Sequence, residues 1–278
     1  MNKIIVPVDF SEYSEYALET AAILAKKNNS EILALHMLEM SDAVLSRSDS
    51  NAQLEAVFLL ELAKKKFSEF LDKPYLEGVH ITPLVKQYKV FSEVNDVAKE
   101  YDVDLIIMGS QGTSGIKEYF VGSNTEKVVR YSDIPVLVIK HNPILTEFDT
   151  VVFASDFSED AIEAYKKAKK MCTFLKSDMH LIYVNLPGEN FRSTPEMEGK
   201  VVKFLNAADG NLDYMSRVTY VNDYTVEQGI SNFANVLGAD MVAIATRGKK
   251  GLAHFFEGSI SEDVANHSTL PVMTFKIK

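Results

Sequence analysis

Leu105-Ile-Ile-Met-Gly109-Ser-Gln-Gly112, nine further residues, then Gly122-Ser-Asn-Thr-Glu-Lys-Val-Val-Arg130 is the stretch on which the reading of this chain turns. The apolar run before Gly109 reads as a buried strand, and Ser123 to Arg130 reads as the start of a helix. Between them lies a loop bearing glycines. Glycine accepts a positive φ and lets another group approach the backbone without a Cβ in the way. A helix start presents unpaired N–H groups and the positive end of a macrodipole, which together suit phosphate. Ser123 adds a hydroxyl at that point. An ordinary strand-to-helix turn uses the same residue types, so spacing by itself leaves that reading open.

Outward from this stretch the chain alternates. Ile4-Ile-Val-Pro-Val8 is a short apolar run ending at Asp9-Phe-Ser11, as in a strand covered on both faces. Ser11 is placed to cap the helix that Tyr13, Ala17, Ala21 and Leu24 mark at helical spacing. Ile32 to Leu38 is a second strand containing His36, read as a satisfied, half-buried histidine. Leu54 to Leu71 traces a long amphipathic helix, and Val79 to Tyr88 a third strand despite Pro83. Val90 to Tyr101 gives a third helix. Asp104 to Met108 is the fourth strand and Pro135 to Lys140 the fifth. This β-α-β alternation predicts a parallel sheet with right-handed crossovers and helices on both faces.

The pattern then begins again. Ile5-Val-Pro-Val-Asp9-Phe-Ser11 matches Val152-Phe-Ala-Ser-Asp156-Phe-Ser158 at an offset of 147. Gly122-Ser123 matches Gly258-Ser259, and Ile134-Pro135-Val136 matches Leu270-Pro271-Val272, both at 136. The shorter offset is a net deletion that shortens the second copy's long helix to about Pro195 to Ala208. The expected organisation is two tandem α/β domains, residues 1–140 and 147–278, joined by His141 to Thr146. Each is flavodoxin-like or Rossmann-like, a five-stranded parallel sheet with helices on both faces. Both end in an apolar strand after a proline, Pro135 to Ile139 and Pro271 to Phe275. Antiparallel pairing of these two strands would cover both exposed edges, so an intramolecular pseudo-dimer is expected. A further homodimer is left open.

Composition narrows the class. Of 278 residues, 46% are hydrophobic and 24% charged, the balance of a globular protein, and no apolar run reaches membrane-spanning length. The N-terminus enters a strand pattern directly, so the expected location is cytoplasmic, with no membrane partner. A net charge of −10 argues against nucleic acid as a partner. Cys172, the single cysteine, has no internal partner and sits in a helical pattern as a small core residue. The six histidines show no pair at ligand spacing, and no metal site is expected.

In an open parallel sheet, ligands bind beyond the C-terminal strand ends where strand order reverses, and Asp9 and the Gly109 turn both follow strands. Asp9 is placed to accept hydrogen bonds from a base or a ribose hydroxyl. Its other reading is a turn or capping residue beside Ser11.

Asp9, the Ile-Met-Gly-Ser-Gln-Gly turn and the Gly-x2-Gly-x9-Gly-Ser spacing resemble the universal stress protein family, and within it the ATP-binding branch. The resemblance covers both copies. It implies ATP or another adenine nucleotide as cofactor, alone or with Mg2+. It implies that Pro7 and Asp9 line the adenosine end and that Met37 touches adenine through its backbone. Met108 and Gly109 would flank the ribose and phosphates, while Gly112, Gly122, Ser123 and Asn124 hold the phosphate chain. In the second copy Asp156 and Val184 stand where Asp9 and Met37 stand. Its glycine pattern is degenerate: Ala245, Gly248, then Gly258, Ser259 and Ile260. Arg247, Lys249 and Lys250 beside it read either as phosphate-binding cations or as a solvated loop.

Three functions compete: a nucleotide-binding regulatory protein acting on an unknown protein partner, a slow ATPase or phosphotransferase, and an interaction module that has lost its ligand. No Gly-x4-Gly-Lys-[Ser/Thr] loop, Gly-x-Gly-x-x-Gly fingerprint or nucleophile paired with a base stands out, which weighs against the enzyme. No catalytic residue is assigned.

Overall fold

The computed structural model describes residues 1–39, 50–88, 93–110, 123–140, 147–246 and 268–277. In the first copy, strands β1 (Lys3–Pro7), β2 (Glu31–Glu39), β3 (Ile81–Tyr88), β4 (Leu105–Gly109) and β5 (Val136–Ile139) alternate with helices α1 (Glu12–Asn28), α2 (Ser50–Phe70), α3 (Val94–Glu100) and α4 (Ser123–Tyr131). The second copy follows with β6 (Thr150–Ala154), α5 (Ile162–Leu175), β7 (Asp178–Asn185), α6 (Thr194–Asp209), β8 (Val218–Asn222), α7 (Val226–Leu237), β9 (Met241–Thr246) and β10 (Val272–Lys276). The linker expected at His141 to Thr146 lies outside the described residues.

Helix α1 shows why these segments fold as read. Ser11, in extended conformation, accepts a hydrogen bond from the Ser14 N–H. Glu12 and Glu15 occupy the first turn and Lys26 and Lys27 the last, and Asn29 closes the helix at φ 52°. Its buried face is Ala17, Leu18, Ala21, Leu24 and Ala25, at helical spacing. Along β1 the alternation is strict: Ile4 and Val6 join one core and Ile5 the other.

The ten strands among the described residues form one sheet, in the order β3-β2-β1-β4-β5-β10-β9-β6-β7-β8. Neighbours within a copy are parallel, while β5 and β10 pair antiparallel. Leu137 stands opposite Met273, Val138 opposite Val272 and Val136 opposite Thr274. Leu137 and Met273 are equivalent positions of the repeat, so the pseudo-two-fold axis passes between them. The expected pseudo-dimer is therefore present, and the strands left at the sheet edges are β3 and β8. Pro83 sits in edge strand β3, where a missing N–H is tolerated. One face carries α1, α2, α5 and α6 over a single core running through both copies. On the other, α3 and α4 cover the first copy and α7 the second. Because the copies are antiparallel, their C-terminal strand ends open at opposite ends of the molecule.

Two equivalent lysines clamp the seam. Lys140 Nζ donates to the Ser268 carbonyl at 2.7 Å, and Lys276 Nζ to the Tyr131 carbonyl at 3.2 Å. The symmetry breaks one residue on from Ser132 and Ser268. Asp133 receives Lys276 at 2.8 Å and Lys99 at 2.5 Å, and its carbonyl receives Lys167 at 3.1 Å. The second copy has Thr269 at that position. Hydrogen bonds from Lys276 and Lys99 hold the Asp133 carboxyl well down, from 3.8 to about 2. Burial lowers Lys140 as well, to about 8, in its case by disfavouring the charged form.

A depressed carboxylate stabilises the fold fully above its unfolded value and loses that contribution as pH falls through its folded value. Asp133→Asn is therefore expected to lower the thermal midpoint at neutral pH by a small amount, since half the Asp133 side chain is exposed. The difference from wild type should close between about pH 4 and pH 2. Parallel curves down to the lowest pH would show that the pair contributes nothing.

Candidate functional site

Pro7, Met37, Met108 and Gly109 gather at the C-terminal end of the first copy's sheet. β1 lies between β2 and β4, so the strand order reverses there. Met37 and Met108 are buried, at 8% and 4% exposure. Asp9, just past β1, is exposed on this crest.

The Asp9 turn is built with care on both sides. Ser11 donates to Asp9 Oδ1 from its N–H at 3.0 Å and from its hydroxyl at 2.5 Å. Burial raises the Asp9 carboxyl, but the bonds from Ser11 and Ser14 outweigh that and hold it below its ordinary value. The turn reading of Asp9 is therefore correct as far as Oδ1 goes, the cap itself being Ser11. A carboxylate accepts at about four sites, so acceptor capacity remains for a ligand.

Between Asp9 and Ser11, Phe10 has φ 65°, a left-handed conformation that a bulky side chain rarely adopts. Its ring packs 4.6 Å from His36, 5.2 Å from Phe67 and 5.6 Å from Phe70, which offsets the strain. His36 Nδ1 lies 2.7 Å from the Val8 carbonyl, so Nδ1 carries the hydrogen and ties this turn to β2. The second copy repeats the device. Ser158 donates to Asp156 Oδ1 at 3.0 and 2.8 Å, and Phe157 has φ 52°. Its ring stacks 5.8 Å from Tyr183, the equivalent of His36. The repeated Asp-Phe-Ser was the sequence signal for this. The left-handed Phe between the polar residues was not readable from it.

Gly109 has a packing role that the sequence did not show. A Cβ built there would lie 2.1 Å from the Tyr13 carbonyl oxygen, 2.3 Å from its carbon and 2.9 Å from the Ser14 nitrogen. The space that glycine leaves is filled by the backbone of α1, not left for a ligand. In the second copy Ala245 carries that methyl, and the corresponding helix opens with a 3-10 turn, Glu159–Ala161, before α5.

Thr125 ties the next element in. Its hydroxyl donates to the Gly109 carbonyl at 3.2 Å and holds the N-terminus of α4, with exposed Asn124 in its first turn, over the end of β4. Ser123 begins that helix. Beside Gly109, Ser110 is buried and its hydroxyl has no hydrogen-bond partner among the described residues. The equivalent Thr246 is in the same condition. Such groups cost free energy unless something completes them, and sequence reasoning singled out neither. Val184 lies half-buried near the end of β7, where a Cβ on Gly229 of α7 would come within 2.7 Å of it. Gly112, Gly122, Gly248, Gly258, Ser259, Ile260, Arg247, Lys249 and Lys250 lie outside the described residues.

Among the described residues no group of three His, Cys, Asp or Glu side chains is placed to hold a metal, and no helix is long and apolar enough to cross a membrane. The Cys172 thiol is buried and pushed up to about 12 by that burial, so it is not a nucleophile at neutral pH.

A sequence model described as "Universal stress protein family" matches residues 1–140 and again 147–276. Universal stress protein YxiE of Bacillus subtilis is 32% identical over 148 residues, which is 50% of this chain and 99% of that protein. Universal stress protein MJ0577 of Methanocaldococcus jannaschii is 30% identical over 152 residues, 50% of this chain and 94% of that protein. A solved universal stress protein from Archaeoglobus fulgidus aligns over 99% of this chain and 98% of its own, with a TM-score of 0.70 at 23% identity, a likeness of fold.

Proposed function

Starting from the fact that the chain belongs to the universal stress protein family, we propose that its first copy binds an adenine nucleotide, ATP foremost, and works as a nucleotide-dependent regulatory protein. The observation that carries this is the convergence at one switch-point crest of Asp9, Met37, Met108–Gly109 and the α4 N-terminus. The Gly-x2-Gly-x9-Gly-Ser spacing adds its weight. So does the Ser110 hydroxyl, a buried donor and acceptor without a partner among the described residues, at the place where a polar ligand would sit.

In this reading Pro7 and Asp9 hold the adenosine end and the Met37 backbone meets the adenine. Met108 and Gly109 flank the ribose and phosphates. Gly112, Gly122, Ser123 and Asn124 take the phosphates at the helix start, where N–H groups and the macrodipole favour negative charge. Mg2+ would arrive on those phosphates, as this ion ordinarily does. Regulation needs only that the nucleotide bind two states of the protein unequally. The second copy keeps the Asp156 turn and the Thr246 hydroxyl, which keeps Asp156, Val184, Ala245, Gly248, Gly258, Ser259 and Ile260 as its candidate positions.

The test is mass spectrometry of nucleotide released from freshly purified protein, with calorimetry on the emptied chain. Adenine nucleotide should be recovered, and Gly122→Val should abolish binding with the fold intact. Turnover of ATP should stay far below about 10 per second, an ordinary enzyme's rate. Protein that carries no nucleotide and shows no heat with ATP would overturn the reading.

A further inference from the structure

Helix α2 is apolar on two faces. Its inner face, Ala63, Phe67 and Phe70, is buried in the core under the sheet. On its outer side Leu54 is 67% exposed, Val57 58%, Phe58 66% and Leu62 39%. The spacing 54, 57/58, 62 is that of one stripe along a helix. The counterpart in the second copy, α6, lies in the same layer and exposes no large apolar side chain. The stripe is thus a property of this helix and not of the repeated fold.

We infer that the outer face of α2 is a dimerisation surface, on which a second copy of this chain lays its own α2 antiparallel. Three observations favour that occupant. The four side chains leave roughly 450 Å² of apolar surface open, in the range of a large single patch. With the apolar share near 65% that homodimer interfaces show, this corresponds to about 700 Å² in all from each partner, within the range of a standard-size interface. A single stripe on one helix is self-complementary about a two-fold axis at Phe58, which sets Leu54 of one chain against Leu62 of the other. Glu61 lies on the same face between Phe58 and Leu62 and is neutralised there by Lys64 at 2.8 Å, with Lys65 and Lys66 beyond. A net charge of −10 disfavours an anionic membrane or nucleic acid as the cover. The seam between β5 and β10 is already closed within one chain, so this contact would join two complete chains through their first copies.

Sedimentation equilibrium of the full chain should give twice the 31.1 kDa chain mass at tens of micromolar. Phe58→Asp should give the single mass, with a dissociation constant raised at least about 30-fold, the effect of losing a hot-spot residue. Its circular dichroism and urea midpoint should match wild type, because Phe58 does not contribute to the core. Phe58→Cys should cross-link into a disulfide dimer under mild oxidation, far faster than Ser68→Cys on the same helix, with buried Cys172 silent. A wild-type chain that sediments at the single mass overturns the proposal, including the case in which residues 40–49 cover the stripe. A Phe58→Asp variant that remains dimeric overturns it equally.

Discussion

Gly109→Val is expected to be among the most damaging single substitutions in the chain. The new Cβ would fall 2.1 Å from the Tyr13 carbonyl oxygen and 2.9 Å from the Ser14 nitrogen. Both are backbone atoms of the first turn of α1, and no rotamer change can move them. The helix must lift from β4, yet its buried face packs into the core that runs under both copies. Overpacking ordinarily costs about 1–3 kcal/mol, and a backbone obstacle places this case at about 3 or above, with Gly109→Ala at about 2. Urea unfolding of the full chain reads the loss as a lowered midpoint, and an unchanged midpoint would refute the packing role. Ala245 in the second copy shows what accommodation looks like: there the helix begins with a 3-10 turn. It also follows that Gly109 variants are poor probes of nucleotide binding, since they disturb the fold before the ligand.

Asp9 is the cleaner probe, and there the large effect is expected in affinity. A hydrogen bond to a charged group contributes about 1.5–3 kcal/mol, so Asp9→Ala should weaken adenine-nucleotide binding by about 10- to 150-fold. Asp9→Asn keeps an acceptor for the Ser11 N–H, so it holds the turn while removing the charge. It should lose only the small stability that the lowered carboxyl contributes, and still lose affinity. The pH dependence follows from the direction of the shift. Ser11 and Ser14 hold the carboxyl below its ordinary value against the opposing effect of burial, so it stays ionised throughout the neutral range. Its stabilising contribution is present above the unfolded value and fades only as acid protonates the folded form. Binding should therefore show no Asp9 titration near neutrality. Calorimetry that finds equal affinity for wild type and Asp9→Ala would remove Asp9 from the site.

The sequence by itself determined the architecture: strands as short apolar runs, helices as periodic stripes, and the copy at an offset near 140 that makes the chain two of one thing. These are local patterns, and local patterns survive in one dimension. It also carried the seam, because two apolar strands that each end a copy must be covered, and antiparallel pairing about Leu137 and Met273 covers both. Only the tertiary structure decided what the site residues do for one another. Gly109 and Tyr13 are 96 positions apart, and nothing near either announces that the absent Cβ is filled by a helix backbone. Phe10 is held left-handed by rings from β2 and α2. Asp133 takes its cations from α3 and from the other copy's last strand, while Thr269, its equivalent, has no carboxylate to offer them. Ser110 and Thr246 are left without a partner among the described residues only once the sheet has closed around them. Each of these depends on a distance of a few ångströms between segments far apart in the chain. Composition and period carry no such distance.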